Sequence, residues 1–183
     1  MKLKELLEGV SATKMSADPA CEITGVTADS RAVKPGMLFI AIHGTKSDGH
    51  KYIPQAVEAG AACIVAEEAC EENCVIVADT RAAYSLIAAN WFGRPANKLI
   101  MMGVTGTNGK TSSAFLFKHI IDTTGGKCGL VGTIELDTGI RTVEADVTTP
   151  DAMLLQGYFA EMVEAGCTHC AMEVSSHALD QHR

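Results

Sequence analysis

Val104-Thr105-Gly106-Thr107-Asn108-Gly109-Lys110-Thr111 lies between the apolar run Leu99-Ile100-Met101-Met102-Gly103 and the segment Ser112-Ser113-Ala114-Phe115-Leu116-Phe117-Lys118-His119-Ile120-Ile121-Asp122. An apolar run, a glycine loop and an amphipathic segment, in that order, predict a strand, a phosphate loop and a helix. Glycines let backbone N–H groups curl round phosphates, and the helix N-terminus adds its positive end. Lys110 is placed to neutralise the β and γ phosphates of ATP, and the Thr111 hydroxyl to ligate Mg²⁺. The general pattern has Gly five residues before Gly109, where this chain has Val104; Gly103 is one place early and Gly106 lies inside the loop. The alternative is a plain Gly-Lys turn opening a helix, but strand, loop and helix all agree with nucleotide binding.

Downstream, the order continues as strand (Cys128 to Ile134), a polar excursion to Val147, helix (Asp151 to Ala165) and strand (His169 to Val174). Such alternation predicts a parallel sheet, with ligands beyond the carboxyl ends of the strands. Glu173 ends the apolar run CAMEV and falls in that crevice, where an acid can reach a magnesium ion shared with Thr111. Lys110 and Glu173 are therefore the candidate catalytic residues, and Thr111 and Glu173 the candidate metal ligands. Beyond them, Ser175 to Arg183 is dense in hydroxyl, amide, imidazole and guanidinium groups, which suit a polar, anionic substrate. A serine hydrolase is rejected, because sequence neighbours rarely have triad geometry and no G-x-S-x-G elbow is present.

Upstream, the first ~95 residues read as a small α/β unit of short strands alternating with helices. Strands are expected in ITGVTADS, MLFIAIHG, ACIVAE and CVIVAD, and helices in YIPQAVEAGA and from Ala82 to Phe92. The pattern breaks at Gly93-Arg94-Pro95-Ala96-Asn97, so the expected domains are residues 1–97 and 98–183.

The formal net charge of −7 argues against non-specific binding to nucleic acid or anionic lipid. No apolar run approaches the roughly 20 residues that span a bilayer, and the start is too charged for a signal peptide, so a cytoplasmic location is expected. The 7 cysteines have irregular spacing, which favours reduced thiols over a disulfide framework. Cys70 with Cys74, and Cys167 with Cys170, are read as ordinary thiols. In the second pair, strand alternation is expected to point the two side chains to opposite faces.

TGTNGKTS together with AMEVSSHALDQHR resembles the Mur ligase family, the cytoplasmic enzymes that assemble the peptide stem of peptidoglycan. DSRAVKPGMLFIAIHG and KSDGHKYIPQAVEAGA are similar to the uridine-nucleotide-binding domain of its third- and fourth-step members. The VSSHALDQHR tail favours the third step, in which meso-diaminopimelate or lysine is added to UDP-N-acetylmuramoyl-L-alanyl-D-glutamate. The resemblance covers essentially the whole chain. It implies a uridine-nucleotide-binding α/β domain followed by the first part of a P-loop parallel-sheet ATPase domain.

The resemblance also implies residue roles. Ser30 matches the position that contacts the UDP part, and His43 with Gly44 the substrate-binding loop beside it; Gly106, Thr107, Asn108, Gly109, Lys110, Thr111 and Ser112 match the ATP loop. Thr148, Thr149, Ser175, Gln181 and Arg183 match contacts to the muramoyl peptide, while Val147 stands where some members carry Asn. ATP and Mg²⁺ are the implied cofactors, amide formation through an acyl phosphate is the implied reaction, and the full-length protein is expected to be a monomer.

Family members continue with an Asp-His segment, a carbamylated lysine and a C-terminal domain for the incoming amino acid. The chain is thus expected to be the N-terminal part of a ligase. Its central sheet is expected to stop at three or so strands, with an unpaired edge and an exposed apolar face. The alternatives are the D-alanyl-D-alanine-adding ligase of the same family and a non-catalytic nucleotide-binding fragment.

Overall fold

Two runs of consecutive buried residues, Leu38–Ile40 and Cys63–Ala66, place the middle of the first sheet, since a strand covered on both faces is apolar throughout. The computed structural model describes residues 1–44, 48–68, 70 and 73–183. It divides into two compact units, Met1–Trp91 and Phe92–Arg183.

In the first unit the elements run α1 (Leu3–Leu6), β1 (Ala12–Met15), β2 (Val26–Thr27), β3 (Leu38–Ile40), α2 (Ile53–Glu58), β4 (Cys63–Ala66), β5 (Cys74–Val77) and α3 (Thr80–Trp91). Short 3-10 turns occupy Ser30–Ala32 and Gly49–Tyr52. The sheet order is β1-β5-β4-β3-β2, parallel except for β1 against β5. Neither α1 nor β1 follows from sequence pattern: α1 is a single turn, and every residue of β1 is exposed, so no apolar alternation marks it. Asn90 on α3 anchors α1, its Nδ2 donating to the Leu6 and Glu8 carbonyls at 2.8 Å each.

In the second unit come β6 (Ile100–Val104), α4 (Lys110–Thr123), β7 (Cys128–Val131), β8 (Glu135–Asp137), β9 (Thr142–Glu144), α5 (Ala152–Glu164), β10 (His169–Glu173) and α6 (Ser176–Asp180). The order β6-β10-β7-β8-β9 inserts the last strand between the first two, parallel to both. Here the fold departs from the expected parallel sheet of about three strands. Five strands form, because the polar excursion folds as β8 and β9, each antiparallel to its neighbour. Only Leu136 of β8 is buried and β9 has no buried residue, so the two read as loop. The sheet is mixed, and the fold is mixed α/β.

β6 lies at the sheet edge, with Ile100 60% and Met101 36% exposed. Leu116, Phe117 and Ile120 on α4 are exposed as well. Lys118 holds α4 to the sheet: its Nζ donates to the Cys128 carbonyl at 2.6 Å and pairs with Asp122 and Asp137 at 3.0 Å each. Burial opposes the ammonium charge, but the two carboxylates prevail and raise its pKa above the ordinary lysine value.

Two cysteine readings are corrected. Cys70 and Cys74 are paired as a disulfide, their Cα atoms 6.1 Å apart, within the span such a bond bridges. Cys167 precedes β10, so alternation does not govern it, and its side chain shares one core cluster with Cys170; both are free thiols. No helix of the described residues is long and apolar enough to cross a membrane.

The start of α5 rests on Asp151, whose Oδ1 accepts the Met153 and Leu154 N–H groups at 3.0 and 3.2 Å. Asp151→Ala should cost about 1 kcal/mol of stability, read as a lower thermal midpoint; an unchanged melt would rule the cap out as a contributor.

Candidate functional site

Three adjacent parallel strands deliver one polar feature each from their carboxyl ends. β6 runs into the glycine loop, β10 ends in Glu173, and β7 leads to Gly132 and Thr133. Glu173 is paired in register with Val104, and the Val174 N–H donates to the Val104 carbonyl at 2.8 Å, so the acid stands at the root of the loop.

The loop turns into α4 at Gly109, whose φ of +81° suits glycine and strains other residues. Thr107, Asn108 and Ser112 are exposed around the start of the helix. The first turn of the 14-residue α4 aims its free N–H groups and the positive end of the helix dipole at the loop, an arrangement suited to an anion such as phosphate. The Lys110 ammonium lies across the loop, donating to the Gly106 carbonyl at 2.7 Å.

Glu173 is 1% exposed, so its carboxylate oxygens need donors. Oε2 accepts the Thr111 hydroxyl at 3.0 Å and the Thr133 hydroxyl at 3.0 Å, and Oε1 accepts the Thr133 N–H at 2.8 Å. A Cβ on Gly132 would lie 2.8 Å from Oε1, so glycine is what lets the turn close over the carboxylate.

Thr111 Oγ1 and Glu173 Oε2 are both hard oxygen donors, 3.0 Å apart. Adjacent ligands of an octahedral Mg²⁺ lie about 2.9 Å apart for bonds of roughly 2.0–2.1 Å, so the pair fits that ion.

The residues expected at the peptide end are joined to the same acid. Thr149 Oγ1 donates to the Glu173 carbonyl at 2.9 Å and accepts the Ser175 N–H at 3.3 Å. Arg183 donates to the Thr149 carbonyl at 3.2 Å and to Gln181 Oε1 at 2.9 Å. The Ser175 hydroxyl accepts the Ala178 N–H at 3.1 Å and so caps α6. Thr148 joins through its hydroxyl, 3.1 Å from that of Thr133.

In the first unit, Ser30 opens a 3-10 turn capped by Asp29, and its hydroxyl donates to Gln55 Oε1 at 3.1 Å. Arg31 beside Asp29 holds that carboxyl below its usual range. His43 Nδ1 lies 3.2 Å from Asp48 Oδ1, and its carbonyl accepts Arg81 at 2.8 Å. His50 uses both ring nitrogens internally, one 2.8 Å from Asp48 and the other accepting the Glu67 N–H at 3.0 Å, and the ligand atoms of His43, Asp48 and His50 lie within 4.8 Å of one another. Gly44 is described, whereas Lys46 and Ser47 of the quoted KSDGHKYIP stretch lie outside the described residues.

Two family models match the chain: the Mur ligase family, catalytic domain, over residues 22–93, and the Mur ligase middle domain over residues 104–183. The second match includes the glycine loop, Thr133, Glu173 and the Ser175 to Arg183 tail. The chain belongs to the Mur ligase family. Among curated relatives of this Mur ligase chain, the UDP-N-acetylmuramoyl-L-alanyl-D-glutamate--2,6-diaminopimelate ligase of Cytophaga hutchinsonii is 42% identical over 100% of the chain and 39% of the relative. A solved structure of a ligase of the same name matches with a TM-score of 0.78 at 25% identity, over 99% of this chain and 37% of that one. MurF from Acinetobacter baumannii shares the fold, with a TM-score of 0.62 at 20% identity over 96% of this chain and 36% of that one. The Mur ligase chain therefore spans well under half the length of these relatives.

Sequence reasoning missed Thr133 and Gly132. They were hidden inside the expected strand Cys128 to Ile134; the observed β7 ends at Val131 and leaves both at the carboxyl end, where ligands gather.

Burial pushes the Cys63 thiol up to about 12 and raises those of Cys128, Cys167 and Cys170. Thiolate is the reactive form, so these four should resist N-ethylmaleimide at pH 8 in the native Mur ligase chain, while the half-buried Cys21 reacts. Peptide mass mapping checks this; labelling of Cys167 or Cys170 as fast as Cys21 would contradict it.

Proposed function

We propose that this chain is the uridine-substrate- and ATP-binding portion of a ligase that adds meso-diaminopimelate to UDP-N-acetylmuramoyl-L-alanyl-D-glutamate. The observation that carries the reading is the Thr111 hydroxyl donating to the buried Glu173 carboxylate at the root of the glycine loop. The names of the relatives support the third-step reaction and favour diaminopimelate over lysine. Residues 1–97 take the uridine end through Ser30, His43 and Gly44; residues 98–183 take ATP and the peptide end.

Gly106 to Ser112 hold the triphosphate, with backbone N–H groups and Lys110 meeting its charge. Mg²⁺, held by Thr111 and Glu173, neutralises phosphate charge when bound. Thr148, Thr149, Ser175, Gln181 and Arg183 orient the muramoyl peptide so that its D-glutamyl carboxylate faces the γ-phosphate. A carboxylate oxygen attacks the γ-phosphorus, the bond to the bridging oxygen breaks, and ADP leaves with an acyl phosphate formed. The amine of diaminopimelate then attacks the acyl carbon, phosphate departs, and the amine loses a proton as the amide forms. The protein works in the cytoplasm as a monomer, without nucleic acid.

In the full-length enzyme, Lys110→Ala should abolish turnover while leaving the fold intact by circular dichroism; near-normal turnover overturns the assignment. The 183 residues alone should bind MgATP yet release no phosphate when given ATP, UDP-muramoyl dipeptide and diaminopimelate. Clear tripeptide product from them would refute that division of labour.

A further inference from the structure

Thr133 is the only residue among the described ones that touches both oxygens of the Glu173 carboxylate: its N–H reaches Oε1 at 2.8 Å and its hydroxyl reaches Oε2 at 3.0 Å. The same hydroxyl lies 3.1 Å from Thr148 Oγ1. One hydroxyl has one proton, and a carboxylate oxygen can only accept. The Thr133 proton therefore goes to Glu173, and Thr148 donates to Thr133. The result is a directional chain, Thr148 to Thr133 to Glu173, that meets Thr111 at the shared Oε2.

The backbone is shaped to the same end. Gly132 leaves no room for a side chain beside Oε1, and the Gly132 N–H donates to the Glu135 carbonyl at 3.1 Å, which pins the turn. Thr133 itself is exposed, so its hydroxyl is not needed to fill a core. A metal-binding carboxylate depends on neighbours that fix its rotation, because a turned carboxylate presents the wrong lone pair.

We propose that Thr133 is a positioning residue that orients the Glu173 carboxylate toward Mg²⁺ and ties it, through Thr148, to the muramoyl-peptide end of the site. The proposal rests on the nucleotide- and metal-binding reading above. Thr133 touches neither phosphate nor metal in it; it sets the direction in which Glu173 Oε2 faces Thr111.

The test is ATP binding by the 183-residue chain, by calorimetry, across a Mg²⁺ series and in EDTA. Thr133→Val and Thr133→Ala keep the backbone N–H contact and delete the hydroxyl, and Thr133→Ser restores it. The expected result is a rise of about tenfold or more in the Mg²⁺ concentration giving half-maximal binding for the valine and alanine variants. Thr133→Ser should stay within about twofold of the parent, and binding in EDTA should be unchanged in all. A Mg²⁺ requirement unchanged in the valine and alanine variants overturns the proposal and leaves the site reading standing. Equal loss of binding with and without Mg²⁺ also overturns it, since that marks a merely structural role. Failure of the parent chain to show any Mg²⁺-dependent binding overturns the site reading and the proposal together.

Discussion

A carboxylate sealed from water has to be compensated, and the second unit is arranged around that requirement. Glu173, 1% exposed, ends the central strand of three parallel ones, and its oxygens take bonds from the elements on either side. The flanking strand β6 supplies Thr111 through the loop and α4; the other, β7, supplies Thr133. An unpaired buried carboxylate costs several kcal/mol, so these donors constrain where both neighbouring loops can lie.

The same constraint explains how a structural contact and a chemical one coincide. The donors that satisfy the carboxylate are hydroxyls and a peptide N–H, and the adjacent groups are the helix N-terminus and Lys110. Thr149 and Ser175 hang from the backbone of the same strand end, because Thr149 bonds the Glu173 carbonyl and the Ser175 N–H. A shift of β10 thereby moves Glu173, Thr149 and Ser175 together.

The first unit handles its polar groups differently. Its candidate residues sit on 3-10 turns and a loop rather than on strand ends, and short-range Asx contacts set them: Asp29 to Arg31 and Asp48 to His50. His50, with both ring nitrogens engaged, links Asp48 to the Glu67 backbone. Asp29, Asp48 and Arg31 each spend a bond holding their own turn.

Legibility followed the range of the interaction. The glycine loop, its strand and its helix are local: periodicity marks β6 and α4, and the Gly109-Lys110-Thr111 step has a meaning that depends on no other part of the chain. The acidic strand end at Glu173 and the polar tail after it could be picked out the same way. The short elements α1 and β1 and the β8–β9 hairpin escaped, because four-residue or mostly exposed segments carry too little periodicity. The Cys70–Cys74 bond escaped because spacing alone says nothing about Cα separation.

By itself the sequence determined that this chain holds a glycine loop between a strand and a helix, an acid at the end of a later strand and the motifs of the Mur ligase family. Only the tertiary structure decided that β10 slots between β6 and β7. That insertion brings Thr111 and Glu173, 62 residues apart, into one hydrogen bond and sets Thr133 opposite them. Strand order is a property of how whole elements pack, and no local pattern along the chain encodes it.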